Sequence, residues 1–265
     1  MAASQPALSG PHFHIPYEAC DKYLPYFREN KWNLEIYFGS RSFDKIKKSD
    51  ILKLKKKLDY NPQLSIHGPF MDLSPGGVDP KVRDITISRF LKTLDIAEIL
   101  RPRVIVFHSG YDKWKYDSRV DIWLEGSLQT WKPINKRASE LGVKIAVENI
   151  FEDDPEHLGL LSKEMASENF GICFDTGHFN LFSKLPLKEW IGIIKPYIKE
   201  LHLHDNMRNA DEHLAIGDGD FDFVTLFNEL QGIDCVYTLE AHNVKDAITS
   251  LERLDKYLRQ GRANS

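Results

Sequence analysis

The chain predicts a single (β/α)8 barrel, and three observations carry that expectation. Short apolar, β-branched runs alternate with longer amphipathic runs from one end of the sequence to the other. The clearest of the short runs, VIVFH, VKIAVEN and VYTLE, are near-continuously apolar, as strands buried on both faces must be. The length of 265 residues suits one such barrel, which typically takes about 250. An open, doubly wound sheet shares the alternation, but no glycine-rich phosphate fingerprint follows the first strand.

Taken in order, His12–Ile15 is the first strand, followed by a helix over Glu18–Asn30 that Pro25 should kink or split. Asn33–Phe38 leads to the Lys/Leu-rich helix Asp50–Asp59, whose lysines fall on outward positions. Leu64–His67 precedes Asp79–Leu100, where Ile85, Phe90, Leu91, Leu94 and Ala97 recur at helical spacing. Val104–His108 is followed by Arg119–Leu141, with a break expected near Pro133. The remaining pairs are Val143–Glu148 with Pro155–Met165, Gly171–Asp175 with Leu187–Ile194, Glu200–His204 with Phe223–Leu230, and Cys235–Glu240 with Val244–Leu258. Residues 1–10 read as a flexible N-terminal segment and 11–265 as the barrel, with no linker or internal boundary.

Composition narrows the function. Hydrophobic residues make up 42%, enough for a sizeable core, and a net charge of -4 gives no general nucleic-acid signature. Cys20, Cys173 and Cys235 are too few and scattered for a disulfide framework, and the last two lie in apolar runs where a thiol simply packs. The first residues lack the basic, then apolar, pattern of a signal peptide. No window reaches the ~18 apolar residues of a membrane span. These features predict a cytoplasmic protein with no membrane partner.

The polar residues fall in one kind of place. His67 closes LSIHGP, His108 closes VIVFHSG, Glu148 closes KIAVEN and Asp175 closes GICFDTGH with His178 three residues on. His202 and His204 lie in LHLHD, and Glu240 closes VYTLE. Barrel sites are built from the C-terminal ends of strands, so these residues should converge. Carboxylates and imidazoles crowded there without partners would cost several kcal/mol in desolvation and repulsion, on the order expected for unpaired buried charges. Divalent cations remove that cost. Asp211 and His213, two apart in DEHLAIGDGD, can chelate an ion together, and Gly217 and Gly219 permit turns that bring their loop over the mouth.

These motifs, with IHGP, FHSG, VEN, FDTGH, LHLHD, DEHLAIGDGDFDF and the final LE, resemble the xylose isomerase-like barrels from the first strand to the last helix. That superfamily includes sugar and sugar-phosphate isomerases and epimerases, and also endonuclease IV-type apurinic/apyrimidinic endonucleases. In the endonuclease branch the resemblance implies three zinc ions: one on His67, His108 and Glu148, one on Glu148, Asp175, His202 and Glu240, and one on His178, Asp211 and His213. In the epimerase branch it implies one Mn, Mg or Co ion on Glu148, Asp175, His202 and Glu240, with His178 and Arg208 orienting substrate.

The preferred expectation is a divalent-metal-dependent isomerase or epimerase acting on a small carbohydrate, as a monomer or homo-oligomer. Its ion, one of one to three, would polarise a ketose carbonyl and stabilise an enediolate, while Glu148 and Glu240 exchange the proton. His204, on the same strand face as His202, would bond a substrate hydroxyl. The alternative is a zinc-dependent phosphodiesterase acting on abasic sites. Nucleic acid enters only there, and duplex binding needs phosphate contacts and wedging loops. The loop GSRSFDK is short and GPFMDLSPGG carries no basic residue. Phe70 and Phe43 are the candidate wedges, but an aromatic on a barrel loop more often covers a small ligand, and Phe70 is expected to do so. The basic run Lys53–Lys57 falls on a helix and reads as a solvated outer face, while Tyr111, Trp114 and Phe179 are candidates to line a sugar pocket.

Overall fold

Eight parallel strands pair in chain order and close on themselves into a barrel in a computed structural model that describes residues 10–263. The expected flexible segment, apart from Gly10, lies outside the described residues. The strands are β1 His12–Pro16, β2 Asn33–Tyr37, β3 Leu64–His67, β4 Val104–His108, β5 Lys144–Glu148, β6 Phe170–Asp175, β7 Ile198–Leu203 and β8 Val236–Leu239. Each matches a predicted strand to within two residues at either end.

The helices are α1 Cys20–Asn30, α2 Ser40–Phe43, α3 Lys48–Lys57, α4 Pro80–Leu100, α5 Val120–Glu140, α6 Glu156–Met165, α7 Thr176–Phe182, α8 Leu187–Ile194, α9 Phe223–Glu229 and α10 Val244–Ala263. Neither proline interrupts its helix: α1 runs through Pro25 and α5 through Pro133. Both helices bury a long apolar face, including Leu24 and Phe27 in one and Trp123, Trp131 and Ile134 in the other, and that packing outweighs the lost backbone bond. Helix α7 was not anticipated, being only two turns long, but Asp175 caps it by accepting from the His178 amide at 2.6 Å.

Alternation along the strands divides the interior in two. Outward-facing residues such as Phe107 and Phe174 pack against the helices with Phe90, Trp131 and Trp190 in one continuous core. Inside the barrel a second, small cluster, Val104, Val106, Ala146, Cys173 and Val236, fills part of the interior. The rest of the inner surface is polar. His12, Glu35, Ser65, Glu200, His202 and Thr238 are all buried on inward positions. The three cysteines are buried and unpaired. Among the described residues, no helix is long and apolar enough to cross a membrane.

Candidate metal centre

The strand-end residues converge as their positions dictate. The β4–β5 register sets His108 beside Glu148, and the β6–β7 register sets Asp175 beside His202. Glu148 is the hub. Its Oε2 lies 3.1 Å from His67 Nε2 and 3.4 Å from His108 Nε2, while Oε1 lies 3.1 Å from His178 Nδ1. His202 Nδ1 faces three carboxylates, 3.6 Å from Glu148, 3.8 Å from Asp175 and 3.5 Å from Glu240. Asp211 gathers the remaining imidazoles: Oδ2 is 3.1 Å from His213 Nε2 and 3.5 Å from His178 Nε2, and Oδ1 is 3.8 Å from His204 Nδ1.

Tautomer geometry tests whether these residues fit metal ions. The His67 Nδ1–H donates to the Gly68 carbonyl at 3.0 Å, which leaves a lone pair on Nε2, and that nitrogen faces a carboxylate oxygen. His178 donates likewise to the Asn149 carbonyl at 3.1 Å, and its Nε2 faces Asp211. His202 Nδ1 and His204 Nδ1 are buried without a hydrogen-bond partner. Acceptor facing acceptor is stable only with a proton or a cation between. Burial alone would lower the imidazole pKa values of His178 and His204, but the surrounding carboxylates, Asp175 foremost, raise them above the ordinary histidine value. A divalent ion meets the same lone pairs, and the donor set of imidazoles and carboxylates suits zinc, manganese or cobalt. In each of three trios, His67–Glu148–His202, Glu148–Asp175–His178 and His204–Asp211–His213, donor atoms lie within 4.8 Å of one another.

A buried carboxylate gathers three amides of the loop carrying Asp211 and His213. Asp205, fully buried just past β7, accepts from the amides of Gly217 and Gly219 at 3.0 Å and of Phe221 at 3.1 Å. A Cβ at Gly219 would stand 2.4 Å from that carboxylate, so only glycine lets the loop close on it.

The other predicted residues fall as follows. Phe70 stacks flat on His108 at 3.9 Å and on Tyr37 at 5.6 Å, roofing the His67–His108 side. His204 is fully buried, its Nε2 3.1 Å from both Asp175 oxygens and its ring so close to Gly177 that a Cβ there would lie 2.0 Å from it. This geometry has it hold Asp175 and face Asp211. Arg208 is exposed on the loop after β7, with left-handed backbone. Phe43 and Phe179 belong to the core, Tyr111 packs on Tyr116 and His157, and Trp114 is 84% exposed. The Lys53–Lys57 face is solvated, with Lys57 paired to Asp21.

Two site residues escaped the sequence reading. Glu35, in the middle of β2, and His14, on β1, reach the centre from the opposite side. His14 Nδ1 lies 2.9 Å from Glu35 Oε1 and 3.0 Å from Glu240 Oε1, and Glu35 Oε2 lies 3.2 Å from His202 Nε2. A signal existed: a carboxylate between Leu34 and Ile36 in an apolar strand, and a His-Phe-His alternation that puts two imidazoles on one face.

Comparison with known proteins places the chain among related barrels. An uncharacterized protein of Methanocaldococcus jannaschii is 33% identical over 213 residues, covering 75% of this chain and 71% of that protein. A probable endonuclease 4 of Campylobacter fetus is 25% identical over 198 residues, covering 65% of this chain and 68% of that protein. Among solved structures, a D-tagatose 3-epimerase-like protein superposes with a TM-score of 0.81 at 27% identity, covering 96% of this chain and 99% of that one. A Thermus thermophilus protein soaked with zinc chloride gives 0.79 at 26% identity, covering 95% and 99%. Residues 34–260 match the family described as xylose isomerase-like TIM barrel, and the chain belongs to that family.

Proposed function

We propose that the protein is a divalent-metal-dependent isomerase or epimerase of a sugar or sugar phosphate. The observation that carries this reading is the pairing of Glu148 and Glu240. They stand three strands apart around the ring, with His202 Nδ1 between them at 3.6 and 3.5 Å. Burial alone would raise both carboxyls. The imidazoles of His108 and His202 around Glu148, and of His202 and His14 around Glu240, outweigh it and hold both well below the ordinary carboxylate value. An ionised carboxylate on one side can remove a proton from one face of a carbon, and the carboxylate opposite, once it has taken up a proton from a substrate hydroxyl or water, can deliver that proton to the other face. An ion held by Glu148, Asp175, His202 and Glu240 would polarise the neighbouring carbonyl and so acidify that carbon.

The surroundings favour a small ligand. Phe70 lies flat on the His108 ring, a roof and not a projecting wedge, and Phe43 is buried in the core. Similarity to a D-tagatose 3-epimerase-like structure at 27% identity points the same way. A second reading, cleavage of abasic-site phosphodiesters, is favoured by one specific observation: residues able to hold all three ions, including Asp211 and His213, are present together.

Incubating the metal-loaded protein with ketohexoses and their phosphates in deuterium oxide separates the two. Deuterium entering the carbon next to the carbonyl, with no nicking of an abasic duplex at low salt, is the expected result. Nicking without exchange would reverse the ranking.

A further inference from the structure

The β1–β2 side of the mouth contributes a residue that none of the strand-end motifs contains. Glu35 is fully buried inside the barrel, where an ionised carboxylate persists only if its oxygens are engaged. Both are. Oε2 meets His202 Nε2 at 3.2 Å, and Oε1 meets His14 Nδ1 at 2.9 Å. A neutral imidazole whose Nε2–H is donated to a carboxylate carries its lone pair on Nδ1. On His202 that nitrogen has no hydrogen-bond partner and points at Glu148, Asp175 and Glu240.

We propose that Glu35 is a positioning residue of the metal centre: it fixes His202 with Nδ1 toward the cation and, through His14, ties the same position to Glu240. Carboxylate–imidazole–metal arrangements of this kind orient the ring and raise its basicity. The close approach of His14, Glu35 and Glu240 donor atoms also suits a further ion. Hydrogen-bond distances account for that approach without an ion, His14 Nδ1 lying 2.9 Å from Glu35 and 3.0 Å from Glu240. Glu200, the next carboxyl inward, is instead engaged by the hydroxyls of Ser65 and Thr238.

The role rests on His202 being a metal ligand, and the test separates the two ideas. Zinc is titrated into the wild-type protein and into Glu35→Gln against a competing chelator, and the histidine nitrogens are followed by 15N NMR. Wild type should bind zinc with His202 coordinated through Nδ1 and protonated at Nε2. The glutamine has one oxygen to offer where two imidazoles need one each, so affinity should fall about 10–100-fold, with His202 no longer in a single tautomer. Coordination of wild-type His202 through Nε2, or a loss of affinity below tenfold in the variant, would overturn the role of Glu35. The wild-type spectrum decides even if the variant does not fold. Failure of the wild type to take up zinc would remove the metal centre itself and the role with it.

Discussion

The two sides of the barrel mouth are built differently. On the β3–β7 side, ligand candidates sit at or just past the ends of strands, next to the loops that cap them: His67 before Gly68, His108 before Ser109, Glu148 before Asn149, Asp175 before α7. On the β1–β2 side, the partly exposed His14 and the fully buried Glu35 come from within strands. The first group presents donor atoms to the mouth. The second holds those donors from behind, as Glu35 holds His202 and His14 contacts Glu240. In the proposed reading, residues at strand ends do the chemistry, and Glu35, one layer deeper, decides which atom of His202 faces it.

The sharpest way to break this contrast is Glu240→Gln. It keeps the side-chain volume and removes a group placed to exchange the proton, so turnover should drop by at least about a thousandfold, within the range for losing a general acid or base. Far-ultraviolet circular dichroism should be unchanged. Retained turnover would mean that the Glu148–Glu240 pairing is not the reacting pair.

Asp205→Asn probes how a strand-end residue governs a loop. The substitution replaces one accepting oxygen by an amide while three loop amides remain to be satisfied. A cost of about 1–3 kcal/mol is expected from buried unsatisfied groups. Limited proteolysis should detect opening of residues 206–221, and zinc stoichiometry should fall while ligands elsewhere still bind. An unchanged loop would show that Asp205 merely caps a turn.

His12 tests the deeper layer. Burial drives its pKa down to about 4, so the folded state keeps it neutral while the unfolded chain protonates near 6.5. The unfolded state therefore binds more protons between these values, and stability is lost as pH falls from 6.5 toward 4. The loss is on the order of 3 kcal/mol for such a shift. Chemical denaturation of His12→Gln should show a flatter profile across that window than the wild type, and an equally steep one would remove His12 as the cause. The smallest effect belongs to Trp114→Ala. With the indole 84% exposed, kcat/KM should stay within about twofold and stability within about 0.5 kcal/mol, as for ordinary surface positions. A larger fall in kcat/KM would place that ring on the substrate.

The difference between the two sides also explains what could be read in advance. The eight strands were visible because strands buried on both faces leave apolar runs, and the rim ligands because each run ends abruptly in a carboxylate or imidazole. Helix α7 was missed because two turns give too little periodicity, although FDTGH contains its cap. Glu35 and His14 escape a pattern of strand termini because their signal lies in mid-strand, where a charge between Leu34 and Ile36 has to face another polar group inside the barrel. The continuity of α1 and α5 through proline depended on tertiary packing that no local pattern encodes. Asp205 read only as the residue after LHLH, since the amides it collects lie 12 to 16 positions away.

Everything turns on whether the gathered imidazoles and carboxylates hold cations. Metal content after equilibrium dialysis against micromolar zinc or manganese, measured on the wild type and on Glu148→Gln, addresses that directly. Between one and three ions per chain in the wild type, with loss of at least one in the variant, is the predicted outcome. A wild-type protein that emerges folded and metal-free would contradict it.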